Sequence, residues 1–197
     1  MTFVATDGKR VAVAEHELED SVDEGVQVIL PAKTMQEVCA NLSNDDVTIM
    51  IGTSHIMFVF KDMIVTGRLI EGQYPNYEMV IPAVSENKLI IKRDVFMNTI
   101  SRAAVLKTDE YISVAFELLK NKLIVSKSTP DLGEFSEELE VTHKGNDVKI
   151  GFQPDYLLDV LRVLKEETIV LEVTEFDKPC VIRTSNSIHV VLPARIR

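Results

Sequence analysis

Nowhere in the 197 residues is there a run of about eighteen consecutive apolar residues, so no membrane-spanning helix is predicted. No basic stretch followed by an apolar one opens the chain, so no export signal is expected. Cysteine is scarce: Cys39 and Cys180 sit inside apolar patterns, EVCANL and KPCVIR. With no secretion signal, two buried free thiols in a reducing cytoplasm are expected rather than a disulfide. Positive charge is also short. Twenty-one Lys and Arg face 31 Asp and Glu, for a net charge of −10. Taken alone, that argues against a simple nucleic-acid binder, whose affinity comes from cations neutralising phosphates. It leaves room for a protein whose few cations gather on one face.

Catalytic and metal-binding signatures are missing as well. His16, His55, His143 and His189 have no His or Cys partner at metal-ligand spacing, so no metal is expected. The stretch TDGK lacks the glycine spacing of a phosphate loop, and no G-x-S-x-G occurs. The acidic runs EHELED, SEELE and KEE read as solvated faces rather than paired catalytic carboxylates. No cofactor and no enzymatic activity are expected.

What the chain does have is a 46% apolar composition, enough for a real core, and a repeat. Three segments, VQVILPAKTMQEVCANL, KLIIKRDVFMNTISRAA and VKIGFQPDYLLDVLRVL, each join a short apolar strand to a helix. Their helical core positions are Met35, Val38, Cys39 and Leu42, then Phe96, Thr99, Ile100 and Ala103, then Leu157, Val160, Leu161 and Leu164. That i, i+3, i+4, i+7 pattern is one apolar helix face, and corresponding positions lie 61 residues apart both times. Three strand-like runs follow each helix: DVTIMIG, IMFVFKD and MIVTGRLI; YISVAFELL, KLIVSKS and EELEVTH; TIVLEVTE, PCVIRTS and IHVVLPA.

One strand–helix–three-strand unit cannot bury its helix face, but two packed together can, giving an α+β domain with helices on one side and antiparallel sheets on the other. The second and third units therefore predict a complete domain at residues 85–197. The first full unit falls within 1–84, a partial domain. Before it stands TFVATDGKRVAV, two strands about an Asp-Gly turn. Counting back one repeat makes this hairpin the end of a unit whose earlier part is missing. The hairpin is expected to complete a sheet with the unit after it, in a segment of a longer repeat protein.

VATDGKRVAV, GQYPNYEMVIP, SRAAVLKTDEY, IGFQPDYLLDVLRVL and HVVLPARIR occur in an order and spacing that resemble the bacterial DNA sliding clamp, the beta subunit of DNA polymerase III. The resemblance spans the whole chain and matches the second half of that family: part of its middle domain and all of its last. It implies the clamp fold and a non-enzymatic, cytoplasmic processivity factor. Subunits of that family pair head to tail in a homodimeric ring around duplex DNA, without sequence preference. They tether DNA polymerase III, the clamp loader and repair proteins through short peptide motifs. The alternative reading is a truncated clamp form acting as a peptide-binding adaptor without encircling DNA.

Carried over position by position, the resemblance implies three surfaces. A peptide groove would use Thr6, Gly8, Lys9, Arg10 and Val11, with Pro75, Met79 and Val80, and Val190, Val191, Leu192, Pro193, Ala194 and Arg195. Gln153 and Tyr156 would stand at its rim. A DNA-facing set comprises Lys33, Arg93, Arg102 and Arg162, with Lys107 and Lys165 expected on the same helices. A subunit interface would use Val105 and Leu106 with Glu134, Glu137 and Glu138. The sequence departs from the family at Met79, where many members carry Arg, and at Ala194, where some carry a larger Met. Arg197 extends the usual end.

Overall fold

The computed structural model describes residues 1–18, 25–43 and 46–196; Arg197 lies outside them. Contacts divide the chain into two compact units, residues 1–18 with 77–197, and residues 19–76.

The larger unit opens with the predicted hairpin, β1 (Thr2–Thr6) and β2 (Arg10–Glu15), in register from Thr2↔Glu15 to Thr6↔Val11. The turn forms because Asp7 Oδ1 accepts from the backbone N–H of Lys9 (2.9 Å) and Arg10 (3.0 Å). Gly8 sits at φ 79°, where a side chain would be strained.

The smaller unit holds α1 (Ala32–Ala40) and a meander of β3 (Thr48–Ile51), β4 (His55–Val59) and β5 (Ile64–Arg68). Val38, Ile56 and Phe58 are its buried centre, flanked by Val28, Leu30 and Met35. Gly67 lets α1 come close: a Cβ there would stand 2.5 Å from Thr34 Cγ2. Three expectations fail in this unit. The strand predicted in VQVIL is reduced to one bridge, Ile29↔Ile70. Leu42 is exposed because Asn41 ends the helix first, its Nδ2 donating to Glu37 O at 2.8 Å. Cys39 is exposed rather than buried: among the described residues it is Val38, one position earlier, that α1 buries against the β3–β5 sheet.

The two remaining repeats follow in the larger unit. The first comprises β6 (Lys88–Lys92), α2 (Arg93–Ala104), β7 (Val114–Leu119), β8 (Lys122–Thr129), β9 (Gly133–Glu140) and the short β10 (Thr142–Lys144). The second comprises β11 (Val148–Phe152), α3 (Pro154–Val163), β12 (Thr168–Glu172), β13 (Cys180–Arg183) and β14 (Ser187–Val191). Each helix starts cleanly: α3 has Pro154 in its first turn, and both α2 and α3 carry an acid in the first turn and an arginine in the last, matching the helix dipole.

The repeats trade their first strands. β6 pairs with β12 of the next repeat, and β11 returns to pair with β7. Two antiparallel sheets result, β1-β2-β14-β13-β12-β6-β10 and β11-β7-β8-β9. Between them and the two helices lies one core in which Phe96, Thr99, Ile100, Ala103, Leu157, Val160, Leu161 and Leu164 are all buried, as the repeat predicts. Phe116 stacks edge-on against both Phe96 (5.8 Å) and Phe152 (5.6 Å). Cys180 is buried in this core, and burial pushes its thiol up to about 12.

The hairpin's partner corrects the sequence reading. β2 pairs not with the unit that follows it but with β14, the last strand, from Ser187↔Ala14 to Val191↔Arg10. Val11 and Val13 then share a buried face with Val181 and Val190, over which Tyr77 and Ile81 pack. A hairpin too small to stand alone is thus the edge of a seven-stranded sheet. The segment EELEVTH is likewise two strands: β9 ends the four-stranded sheet and β10 crosses to the edge of the other.

Candidate functional site

Three segments distant in sequence converge where β2 meets β14. The first is the Asp-Gly turn. Thr6 Oγ1 donates to Arg10 O at 2.8 Å and accepts from the Gly8 N–H at 3.1 Å, so Thr6, Gly8 and Lys9 are fixed yet exposed. Arg10 reaches back to Asp7 (2.9 Å) and across to Asp159 on α3 (2.7 Å), with its guanidinium 4.6 Å from the centre of the Tyr156 ring. Partial burial alone would lower the Arg10 pKa; its bonds to Asp159 and Asp7 outweigh that and raise it. Burial would raise Asp7, but the donated bonds from Lys9 and Arg10 leave it lowered.

The second segment is the tail after β14. The Leu192 N–H donates to Lys9 O at 2.9 Å, tying tail to turn. The Ala194 N–H then donates to Gly151 O at 2.7 Å, and Ser113 Oγ donates to Arg195 O at 2.6 Å. Gly151 is there because the tail lies on it: a Cβ would stand 2.5 Å from Ala194 O and 2.8 Å from Ile196 Cγ1. Ser113 is itself held by the buried Lys127, whose Nζ donates to the carbonyls of Ser113 (2.8 Å) and Tyr111 (2.5 Å). A small cavity of about 210 Å³, lined by Asp109, Glu110, Ile112 and Ser113 with Ala194 and Arg195, flanks the tail.

The third segment is the turn of 3-10 helix Glu78–Val80, which leaves Met79 83% exposed and Val80 47%. It is pinned from both sides: Tyr77 and Ile81 pack on the hairpin–β14 face, and Arg183 Nη2 donates to Pro82 O at 2.6 Å. Arg183 pairs at 3.4 Å with the buried carboxylate of Glu172, which also accepts from the Ser85 N–H at 3.2 Å.

The groove residues therefore split. Thr6, Gly8, Lys9, Met79, Val80, Leu192 and Arg195 offer surface; Arg10, Gln153, Tyr156, Pro193 and Ala194 are half-buried. Val11, Val190 and Val191 are buried and support the surface from beneath rather than forming it. Pro75 is exposed and belongs to the smaller unit. Sequence reading missed the supports Gly151, Ser113, Lys127, Glu172, Arg183 and Asp159. None has a motif, since each acts through a long-range contact.

The expected DNA-facing cations are less free than their number suggests. Arg93 binds Asp94 at 2.8 Å and also donates to Leu164 O; Arg162 binds Asp159 at 2.9 Å; Arg102 binds Glu137 at 2.6 Å. Lys107 pairs with Asp155. Lys33 alone of the four has no ion pair among the described residues. Of the interface set, Val105 is 76% exposed and Leu106 half-buried, at the end of α2. Glu134, Glu137 and Glu138 lie on β9, whose outer edge is unpaired among the described residues. Glu138 is bound to Lys122 at 2.7 Å.

Two family models account for this architecture: the DNA polymerase III beta subunit central domain matches residues 1–76, and its C-terminal domain matches 78–195. The chain belongs to the DNA polymerase III beta subunit family. Among its relatives, the beta sliding clamp of Escherichia coli (strain K12) is 31% identical over 198 residues. That match covers 98% of this chain and 54% of the relative. The chain thus spans about half the length of the curated relatives it matches. A crystal structure of the Pseudomonas aeruginosa sliding clamp bound to griselimycin superposes with a TM-score of 0.90 at 29% identity, covering 98% of this chain and 54% of that one. The Bartonella birtlesii clamp bound to griselimycin gives 0.89, with the same identity and coverage.

Proposed function

We propose that this chain supplies the partner-binding half of a sliding clamp subunit, a non-enzymatic, cytoplasmic processivity factor. In chain order, residues 1–84 form part of the middle domain and 85–197 the last domain. The observation that carries this reading is the convergence of the Asp-Gly turn, the Met79–Val80 turn and the 192–196 tail on one sheet. It is supported by relatives of the same fold that bind griselimycin. The chemistry suits a short linear peptide: apolar anchors sit against Met79, Val80, Leu192 and Pro193, and Lys9, Arg10 and Arg195 orient the chain. DNA polymerase III, the clamp loader and repair proteins would compete for it.

Duplex DNA would face Lys33, Arg93, Arg102 and Arg162. Three of these cations are already paired, so their phosphate contacts would be weak and sequence-independent; such contacts suffice where DNA is trapped topologically, and sliding needs them weak. The edge of β9, unpaired among the described residues, and the exposed Val105 at the end of α2 suit head-to-tail pairing with another subunit. The test of the ring is topological. A full-length subunit carrying this half should stay on closed circular DNA after loading and leave when the circle is cut; equal retention on both forms would reject it. For the groove, deleting Leu192 to Arg197 should abolish binding of a polymerase tail peptide, and unchanged affinity would reject the site.

A further inference from the structure

The base of the Asp-Gly turn holds four charges, two carboxylates and two guanidiniums, and two of them, Arg10 and Asp159, are shared. Asp159 divides its oxygens: Oδ2 accepts from Arg10 Nη1 at 2.7 Å, while Oδ1 accepts from Arg162 Nη1 at 2.9 Å. Tyr156 lies three residues earlier on α3, so ring and carboxylate share one helix face. Arg10 lies between them, its Nε on Asp7 Oδ2 at 2.9 Å and its guanidinium over the Tyr156 ring.

We propose that Asp159 is a positioning residue for the groove: it holds the Arg10 guanidinium over Tyr156, and its sharing with Arg162 makes that hold respond to whatever engages Arg162. The proposal rests on the groove reading above. Asp7 alone anchors Arg10 at Nε, close to the turn, and leaves the Nη end free to swing away from the ring. Asp159 supplies the second anchor, at the far end of the guanidinium. Arg162 is 62% exposed and draws part of the same carboxylate. An anion that takes Arg162, a phosphate group for instance, returns both Asp159 oxygens to Arg10. The rim of the groove then becomes better ordered and peptide entry costs less entropy. Asp159 is itself half exposed and supports no part of the core, so its replacement should leave the fold intact.

Two readouts on the 197-residue chain test this. Without ligand, the NMR signal of the Arg10 Nη hydrogens, which Asp159 holds at Nη1, should be ordered in the native chain, mobile in Asp159→Asn, and recovered in part by Asp159→Glu. With griselimycin as the probe, Asp159→Asn should bind about two- to fivefold more weakly, the range of a half-exposed ion pair, and the difference should shrink in high salt. Arg162→Ala should move both readouts the other way, with Arg10 more ordered and the probe bound more tightly. An Arg10 signal equally ordered in Asp159→Asn overturns the proposal, as does equal weakening by Asp159→Asn and Arg162→Ala. If the native chain takes up no griselimycin while Arg10 is released in Asp159→Asn, the groove reading fails and the hold of Asp159 on Arg10 stands.

Discussion

Arg102 and Glu137 face each other across α2 and β9, with guanidinium nitrogens 2.6, 2.7 and 3.0 Å from the carboxylate oxygens. Thr99, fully buried beneath them, donates its hydroxyl to Glu137 Oε1 at 2.9 Å. Sequence reading assigned these two charges to different surfaces, one toward DNA and one toward a partner subunit. In the structure the two are paired, and each neutralises the other. Duplex affinity should therefore fall more for Lys33→Ala than for Arg102→Ala. Losing a free cation should lower the slope of log K against log salt by about one, whereas losing a paired one changes it less. Titrating a short duplex at several salt concentrations measures both.

The same pair predicts a pH dependence. The bond from Arg102 is the main cause that holds the Glu137 carboxyl below its ordinary value of 4.5; partial burial opposes it and Thr99 assists. A depressed folded value means stability that is complete above pH 4.5 and lost as pH falls through the lower folded value. Glu137→Gln should melt lower than the native chain at pH 7, by about 1 kcal/mol or less for a partly exposed pair. The gap should close in acid, which melting curves between pH 7 and pH 3 would register.

The tail depends on a missing side chain. Gly151→Ala would drive a Cβ into Ala194 O, so either the strand or the tail must move. A loss of about 1–3 kcal/mol is expected from this overpacking, together with faster proteolysis after residue 191. Ser113→Ala should loosen the tail only at Arg195, with a smaller stability loss, since the bonds of Leu192 and Ala194 remain.

The thiols should differ sharply. Cys39 is exposed and Cys180 buried, with its thiol pushed up to about 12 by burial first and the nearby Glu172 charge second. A thiol reagent at pH 8 should label one cysteine in the native chain and the second only on unfolding. In the core, Phe116→Ala removes the ring between Phe96 and Phe152 and should cost about 3–5 kcal/mol in denaturant unfolding.

What the sequence made legible was periodic. The 61-residue repeat located the buried positions of α2 and α3, because a helix face packed on two sheets leaves a strong apolar signature. It misled at Cys39 and Leu42, where the smaller unit has less to bury against and Asn41 ends the helix early. The Asp-Gly turn was plain from its residues, but its partner strand was not. β2 and β14 lie some 175 residues apart, and nothing local to either encodes the register Val11↔Val190. The groove supports were hidden for the same reason. Lys127 reads as one more strand lysine until its ammonium is seen capping the carbonyls of Tyr111 and Ser113.

The most direct test of the whole account is a griselimycin titration of the isotopically labelled chain, followed by backbone and methyl NMR. Signals of Thr6, Lys9, Met79, Val80, Leu192 and Ala194 should move together with one saturation curve. Saturable shifts confined to the four-stranded sheet, with these residues unmoved, would contradict it.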